Sequence, residues 1–187
     1  MNVLQWSKLK TTLEGFLSDK LKGRIQIHAA VYRKYHDSPS RVWITLDKHE
    51  ILTASDVTYA VKHEKLYQQI KDEKVLKEIP YNQDWNVMLN SLERRELLIA
   101  SDAAEEIMIT QSIFQSYHLY AALINYNSLT IEQAINSENI IIQAFSMLDR
   151  RLGKRRLKKL NLSRDTHPII TKFYSIRCGV EGIKISK

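Results

Sequence analysis

The sequence predicts an α+β protein: an N-terminal helix and a three-stranded antiparallel meander, packed on a mainly helical C-terminal half. Three observations carry this. Apolar residues first recur at steps of three and four. The period then switches to two across three short segments. From Asn82 onward no period-two segment returns, and Pro168 is the only proline.

Taken in chain order, Trp6, Leu9, Leu13, Phe16, Leu17 and Leu21 form the stripe of an amphipathic helix over residues 3–21, and Gly23 supplies its stop. "RIQIHAAVYRKY" then alternates. It sets Ile25, Ile27, Ala29 and Val31 on one face and Arg24, Gln26, His28, Tyr32 and Lys34 on the other. "HDSPS", residues 36–40, is turn chemistry. "RVWITLD" resumes the alternation with Val42, Ile44 and Leu46 inward and Arg41, Trp43 and Thr45 outward, and "DKHE" turns the chain into a third strand, "ILT".

Ser55 or Asp56 caps the next helix, which carries Val57, Ala60, Val61, Leu66, Tyr67 and Ile70 and must end before Pro80. Residues 84–99 read as one helix, and an Asp102–Glu105 capping box starts a second that runs to about Asn125. "SLTIEQAIN" is a short helix capped by Ser128 or Thr130, Ser137 opens the next, and Ile169, Ile170, Phe173, Tyr174 and Ile176 mark a last one. There is no solenoid period. Pro80 and Asn82 place a seam near 78–84, between a helix, sheet and helix region, 1–79, and a helical region carrying the basic run, 80–187, which form either two small domains or one integrated domain.

Charge is the most distinctive feature. The net charge of +7 comes from 28 basic and 21 acidic residues. The stretch "DRRLGKRRLKK", 149–159, holds seven of the former and one of the latter, so the remainder has 21 against 20, or +1. A concentrated excess of this kind can act as an electrostatic footprint for an anionic partner, or can dress a helix end and be solvated or paired internally. Ile141, Ala144, Phe145, Leu148 and Leu152 share a stripe, which predicts a core helix over 138–152. Beyond Gly153 the same helix would carry Arg155 and Lys159 into that stripe. Gly153 is therefore expected just past the helix end in a left-handed cap, with a separate short helix holding Leu157 and Leu160.

This division assigns roles. Arg150 and Arg151, nearest the core helix, are candidates for internal ion pairing, with Asp102, Glu105 and Glu106 as available carboxylates. Lys154, Arg155, Arg156, Lys158 and Lys159 are candidates for an outside anion, either nucleic acid (RNA or DNA) or an acidic protein. Tyr32, Lys34, Arg41 and Trp43, on the polar sheet face, add rings and cations of the kind that stack bases and follow phosphates. The same face can instead be a packing surface. Lys172 and Arg177 extend the positive charge.

Other classes find little support. "HEKLY" at 63–67 lacks the second histidine of a zincin, and five glycines include no phosphate loop. The six histidines lack metal-ligand spacing, so the sequence calls for no metal and no cofactor. Asp102 and Glu106 can share the face of Ile99, Ile113 and Tyr117, which would bury two carboxylates and give an acid/base pair for a hydrolase. No apolar run approaches the roughly 18 residues of a membrane helix. With a lone Cys178 and no signal-peptide pattern, the expectation is a cytoplasmic protein.

The order helix, strand, strand, strand, helix over 3–78 resembles that of the double-stranded-RNA-binding domain. The basic helix start of that domain is replaced here by "SDVTYAVKHE". As a whole, "WSKLK", "RIQIHAAVYRKY", "RVWITLD", and "DRRLGKRRL" followed by "FYSIRC" resemble an uncharacterised family of small bacterial cytosolic proteins. The resemblance implies a bacterial cytosolic source and transfers no functional residue.

Overall fold

The first helix, α1 (Val3–Phe16), ends short of the predicted Leu21 because the chain exchanges helical hydrogen bonds for tertiary ones. Ser18 N–H donates to the carbonyl of Leu148 at 3.0 Å, and Leu17 bridges Asp149 as an isolated antiparallel pair. Leu17 and Leu21 are nonetheless fully buried, so the apolar stripe identified core residues beyond the helix that presents them. The computed structural model describes residues 3–31 and 39–184, with backbone alone at 3–5. Its contacts form two units, Met1–Asp56 with Phe114–Lys187, and Val57–Ile113. The predicted seam at 78–84 falls inside the second.

In the first unit, Gly23 adopts φ 75°, the left-handed turn that only glycine takes without strain, and leads into the sheet. Strands β1 (Ile25–Ala30), β2 (Arg41–Leu46) and β3 (His49–Ser55) form an antiparallel meander in the order β1-β2-β3, as the alternation predicts. Pairings such as Ile27 with Ile44 and Ile44 with Leu52 put one apolar row on one face. A register shift at Ile44/Thr45 also buries Thr45. Asp47 and Lys48 make the β2–β3 turn with φ 49° and 69°, the positive values a tight two-residue hairpin needs. The Arg24 guanidinium holds the Asp47 carboxylate by two hydrogen bonds, at 2.9 and 2.5 Å. Beside the sheet, the Ile27 N–H donates to the Glu14 carboxylate at 3.0 Å, which ties α1 to β1.

The remaining helices of this unit are α5 (Ser116–Tyr126), α6 (Ile131–Ile135), α7 (Ile140–Ser146), α8 (Lys154–Lys159) and α9 (Pro168–Glu181). Helix α5 meets β2 and β3, and α7 meets α9, around a core that includes Leu119, Phe145 and Phe173. Thr130 caps α6 in a capping box with Gln133. Asn139 rather than Ser137 caps α7, accepting from Ile141 and Ile142 N–H at 3.0 and 3.1 Å.

The second unit holds α2 (Asp56–Glu73), α3 (Trp85–Leu89) and α4 (Leu92–Thr110). The helix predicted over 84–99 is broken at Asn90, and Ser91 caps a new one by accepting from Arg94 N–H at 3.3 Å. That helix runs through the expected start at Asp102, because Ala100, Ala104 and Met108 form one buried stripe at steps of four. The break comes at Ser112, φ 60°. Helix α2 fully buries none of its residues: Val57 and Val61 stay in solvent, while Leu66, Tyr67 and Ile70 of the same stripe are partly covered.

Gly153 departs from its predicted role. At φ −64° and ψ 155° it is extended and precedes α8 as its N-cap, because the core helix has already ended at Ser146. Gly23→Ala should therefore lower stability by about 1–2 kcal/mol through left-handed strain. Gly153→Ala, with an extended backbone and open space around the added Cβ, should change stability by less than about 1 kcal/mol, since the entropy gain in the unfolded chain is offset by alanine's poorer fit at an N-cap. Chemical denaturation of the two variants measures the contrast.

Candidate anion-binding site at the basic run

The run divides into a buried half and an exposed half. Residues 147–152 fold back as turns rather than extending α7, and Met147, Leu148, Asp149 and Leu152 are all buried. Arg150 N–H donates to the Phe16 carbonyl at 2.8 Å, which fastens this stretch to the end of α1. Asp149 has no exposed surface. Its carboxylate accepts from the Tyr126 hydroxyl at 2.6 Å, the Arg151 N–H at 2.7 Å and the Arg151 Nε at 2.9 Å. The same guanidinium donates to the Leu129 carbonyl at 2.9 Å and lies 4.0 Å above the Phe16 ring, a cation–π contact. Burial first, and then the Asp149 carboxylate, push the Tyr126 phenol far above its usual range.

A second buried arginine supports the same segment. Arg177, expected on the surface, is 3% exposed, because its guanidinium donates to the carbonyls of Leu148 and Asp149 at 3.0 and 2.9 Å. It also pairs with Glu181 at 3.1 Å, and Lys154 meets the other oxygen of that carboxylate at 2.8 Å. Burial pushes the Glu181 carboxyl up, but Lys154 and Arg177 outweigh it and hold the group below the usual carboxylate range. Lys154 therefore serves the fold. Lys172 donates to the Ile51 carbonyl at 2.7 Å.

Helix α8 carries the exposed half. Leu157 is fully buried, and at 100° per residue Arg155 and Lys159 stand within about 20° of the direction opposite to it, with Lys158 on their flank. Arg155, Lys158 and Lys159 are exposed, as is Arg150, and no ion pair ties any of the four to another described residue. Arg156 pairs with Glu132 at 2.5 Å, but both side chains are largely exposed, so the pair is worth about 0–1 kcal/mol and readily exchanges for another anion. Attraction to the end of α8 contributes roughly 0.3–1 kcal/mol per cation and does not account for the whole set.

The sheet's polar face is built differently. Trp43 is half-buried, with the His28 ring stacked at 5.0 Å and the Arg41 guanidinium 4.7 Å from its centre; Arg41 also pairs with Glu50. Burial first, then Lys10, holds His28 below its ordinary pKa, against the opposing pull of Glu14 and Glu50. Tyr32 and Lys34 lie outside the described residues. Asp102 and Glu106 are exposed on α4 rather than buried, since the Ile99 face of that helix is open to solvent, and Glu105 bonds to Tyr59. Among the described residues no cluster of three or more His, Cys, Asp or Glu is placed to hold a metal ion.

A family model described as the SF0329 protein family matches residues 5–178. The chain belongs to that family. No curated protein and no solved structure matches it. In this SF0329 family member the matched stretch takes in the whole basic run, Tyr126 and Arg177, while Glu181 and Lys184 follow it. Sequence reasoning missed Asp149, Tyr126 and Glu181 as the partners that fix the run. The one available signal was Asp149 itself, a lone acid heading seven cations.

Arg151→Ala should cost about 3–5 kcal/mol by stranding a buried carboxylate, whereas Arg155→Ala should change stability by less than about 0.5 kcal/mol. Denaturant titration of both variants distinguishes the two halves. A pH dependence follows from His28. Its folded-state pKa lies below the unfolded value of about 6.5, so the unfolded chain takes up the proton first and stability falls as pH drops below that value. Thermal melts between about pH 7 and 5 should show a smaller loss for His28→Gln than for the parent.

Proposed function

We propose that this protein is a non-enzymatic, cytoplasmic nucleic-acid-binding protein that grips phosphates with the exposed half of its basic run. The observation that carries the reading is the separation of roles within one stretch. Arg151 and Lys154 are consumed by the buried carboxylates of Asp149 and Glu181. Arg150, Arg155, Lys158 and Lys159 are left outward, with Arg156 held by a weak surface pair. Like charges crowded on a six-residue helix repel one another, and a polyanion relieves that repulsion while releasing its own counterions. Arg41 and Trp43 are already engaged by Glu50 and His28, so the reading rests on the run. Cytoplasmic placement is supported by Cys178, a lone buried thiol in a chain whose described helices are all too short or too polar to cross a membrane.

With four or five phosphates neutralised, log affinity should fall against log salt with a slope of roughly −3 to −5. Changing Arg155, Lys158 and Lys159 together to Ser should make that slope shallower by about 2–3 without lowering stability. Fluorescence anisotropy with RNA and DNA across a salt series measures both. Salt-independent binding, or binding that the triple variant leaves intact, refutes the reading.

A second reading, a protein-interaction module in which the run is structural, is favoured by a different observation. The second unit leaves Tyr81, Trp85 and Leu92 exposed by 85%, 73% and 66%, side chains that commonly anchor protein interfaces. It is the reading that remains if no polyanion binds at low salt.

A further inference from the structure

Beside the exposed cations lies a groove of about 400 Å³, formed where the end of α8 and the following loop face α9. Lys158 and Lys159 border it from α8, Lys184 from beyond the α9 cap, and among the described residues no carboxylate lines it. Opposite the lysines, Thr171 and Ser175 stand one turn apart on α9. A helical Ser or Thr commonly returns its hydroxyl to a carbonyl one turn back. Thr11, Thr12 and Thr110 do so, at 3.0, 3.0 and 2.8 Å. Thr171 and Ser175 make no such bond and have no intramolecular partner among the described residues. Asn161, also in the lining, adds an amide with no partner of its own among them.

We propose that this groove is a binding site for a phosphomonoester. Three lysines line the groove and no acid among the described residues does, which favours an anion of more than one charge. A phosphomonoester carries about −1.5 to −2 near neutral pH and presents three strong acceptor oxygens. A backbone diester carries a single charge and two such oxygens, fewer than the lysines, two hydroxyls and amide can engage. The polar lining and a volume near the lower end of ligand pockets suit a terminal phosphate with its attached sugar rather than an apolar molecule. Two sources supply this group: a phosphorylated end of a nucleic-acid strand, or a free nucleotide. The inference deepens the nucleic-acid reading through the strand end and stands apart from it through the free nucleotide.

The test compares short oligonucleotides of one sequence bearing a 5′-phosphate, a 3′-phosphate or hydroxyls at both ends, and adds nucleoside monophosphate alone. The full chain is set beside its Thr171→Val, Ser175→Ala double variant. Both positions are exposed, so the variant retains its fold. One phosphorylated end should raise affinity about tenfold over the hydroxyl form, and the double variant should lose that preference while keeping its affinity for the unphosphorylated strand. The preference should also shrink below about pH 6, where the phosphate takes up its second proton. Binding of monophosphate, sensitive to the double variant, in a protein that ignores every oligonucleotide supports the groove and refutes the nucleic-acid reading. Equal binding of all three oligonucleotides, with none of monophosphate, refutes the groove and leaves that reading standing. A phosphate preference unchanged in the double variant also refutes it.

Discussion

The Asp149 carboxylate is buried without any exposed surface, and the first unit is arranged so that it never lacks a partner. Tyr126 reaches it from α5, Arg151 from two residues along the same turn, and Arg177 from α9 binds the carbonyls of the segment that carries it. A buried charge of this kind costs several kcal/mol unless it is paired and hydrogen-bonded. Its demand for partners joins the end of α1, α5, α9 and the turn after α7 into one arrangement. Such networks add modestly to net stability but tolerate few alternative packings, since any slip leaves an ion unpaired in the interior.

The placement of the exposed cations follows from this constraint. Because the chain at 147–152 must turn back toward α1, it cannot extend α7, and α8 begins afresh from an extended Gly153. Leu157 then fixes the rotation of α8 by its complete burial, which turns Arg155 and Lys159 outward. The Arg177–Glu181 pair, buried, and the exposed Lys154 that meets the same carboxylate secure the start of α8 against α9. Residues paired within the fold thus decide where the outward cations stand. The groove beside α9 arises from the same junction of α8 and α9.

The meander was the most legible part of the fold, because alternation of Ile25 and Ile27 or Val42 and Ile44 admits one inward face, and a one-residue slip would expose it. The core helices were legible as apolar stripes but not in their ends. Leu17 and Leu21 were recognised as buried and wrongly placed on a helix, since periodicity records which side chains face the core and not which backbone bonds persist. Asp102 carried a capping pattern that the continuous Ala100, Ala104, Met108 stripe overrode. At the candidate site, the break at Gly153 was readable from the conflict between Leu152 and Arg155 on one helical face. The glycine's conformation was not, because it depends on where α7 stops.

The sequence by itself determined the α+β class, the order of its strands, the local excess of positive charge and the change of helical register within it. These follow from periodicity and composition, which act between near neighbours. Only the tertiary structure decided which cations are free. Arg151 and Arg155 are the same residue type four positions apart, and the sequence separates them only by their place on either side of Gly153, not by how deeply each is buried. One lies against a carboxylate that long-range packing has stripped of water, and the other faces solvent. Pairing with Glu181, 27 positions from Lys154, and the bonds from Arg177 back to Leu148 arise from chain segments brought together by burial of the core.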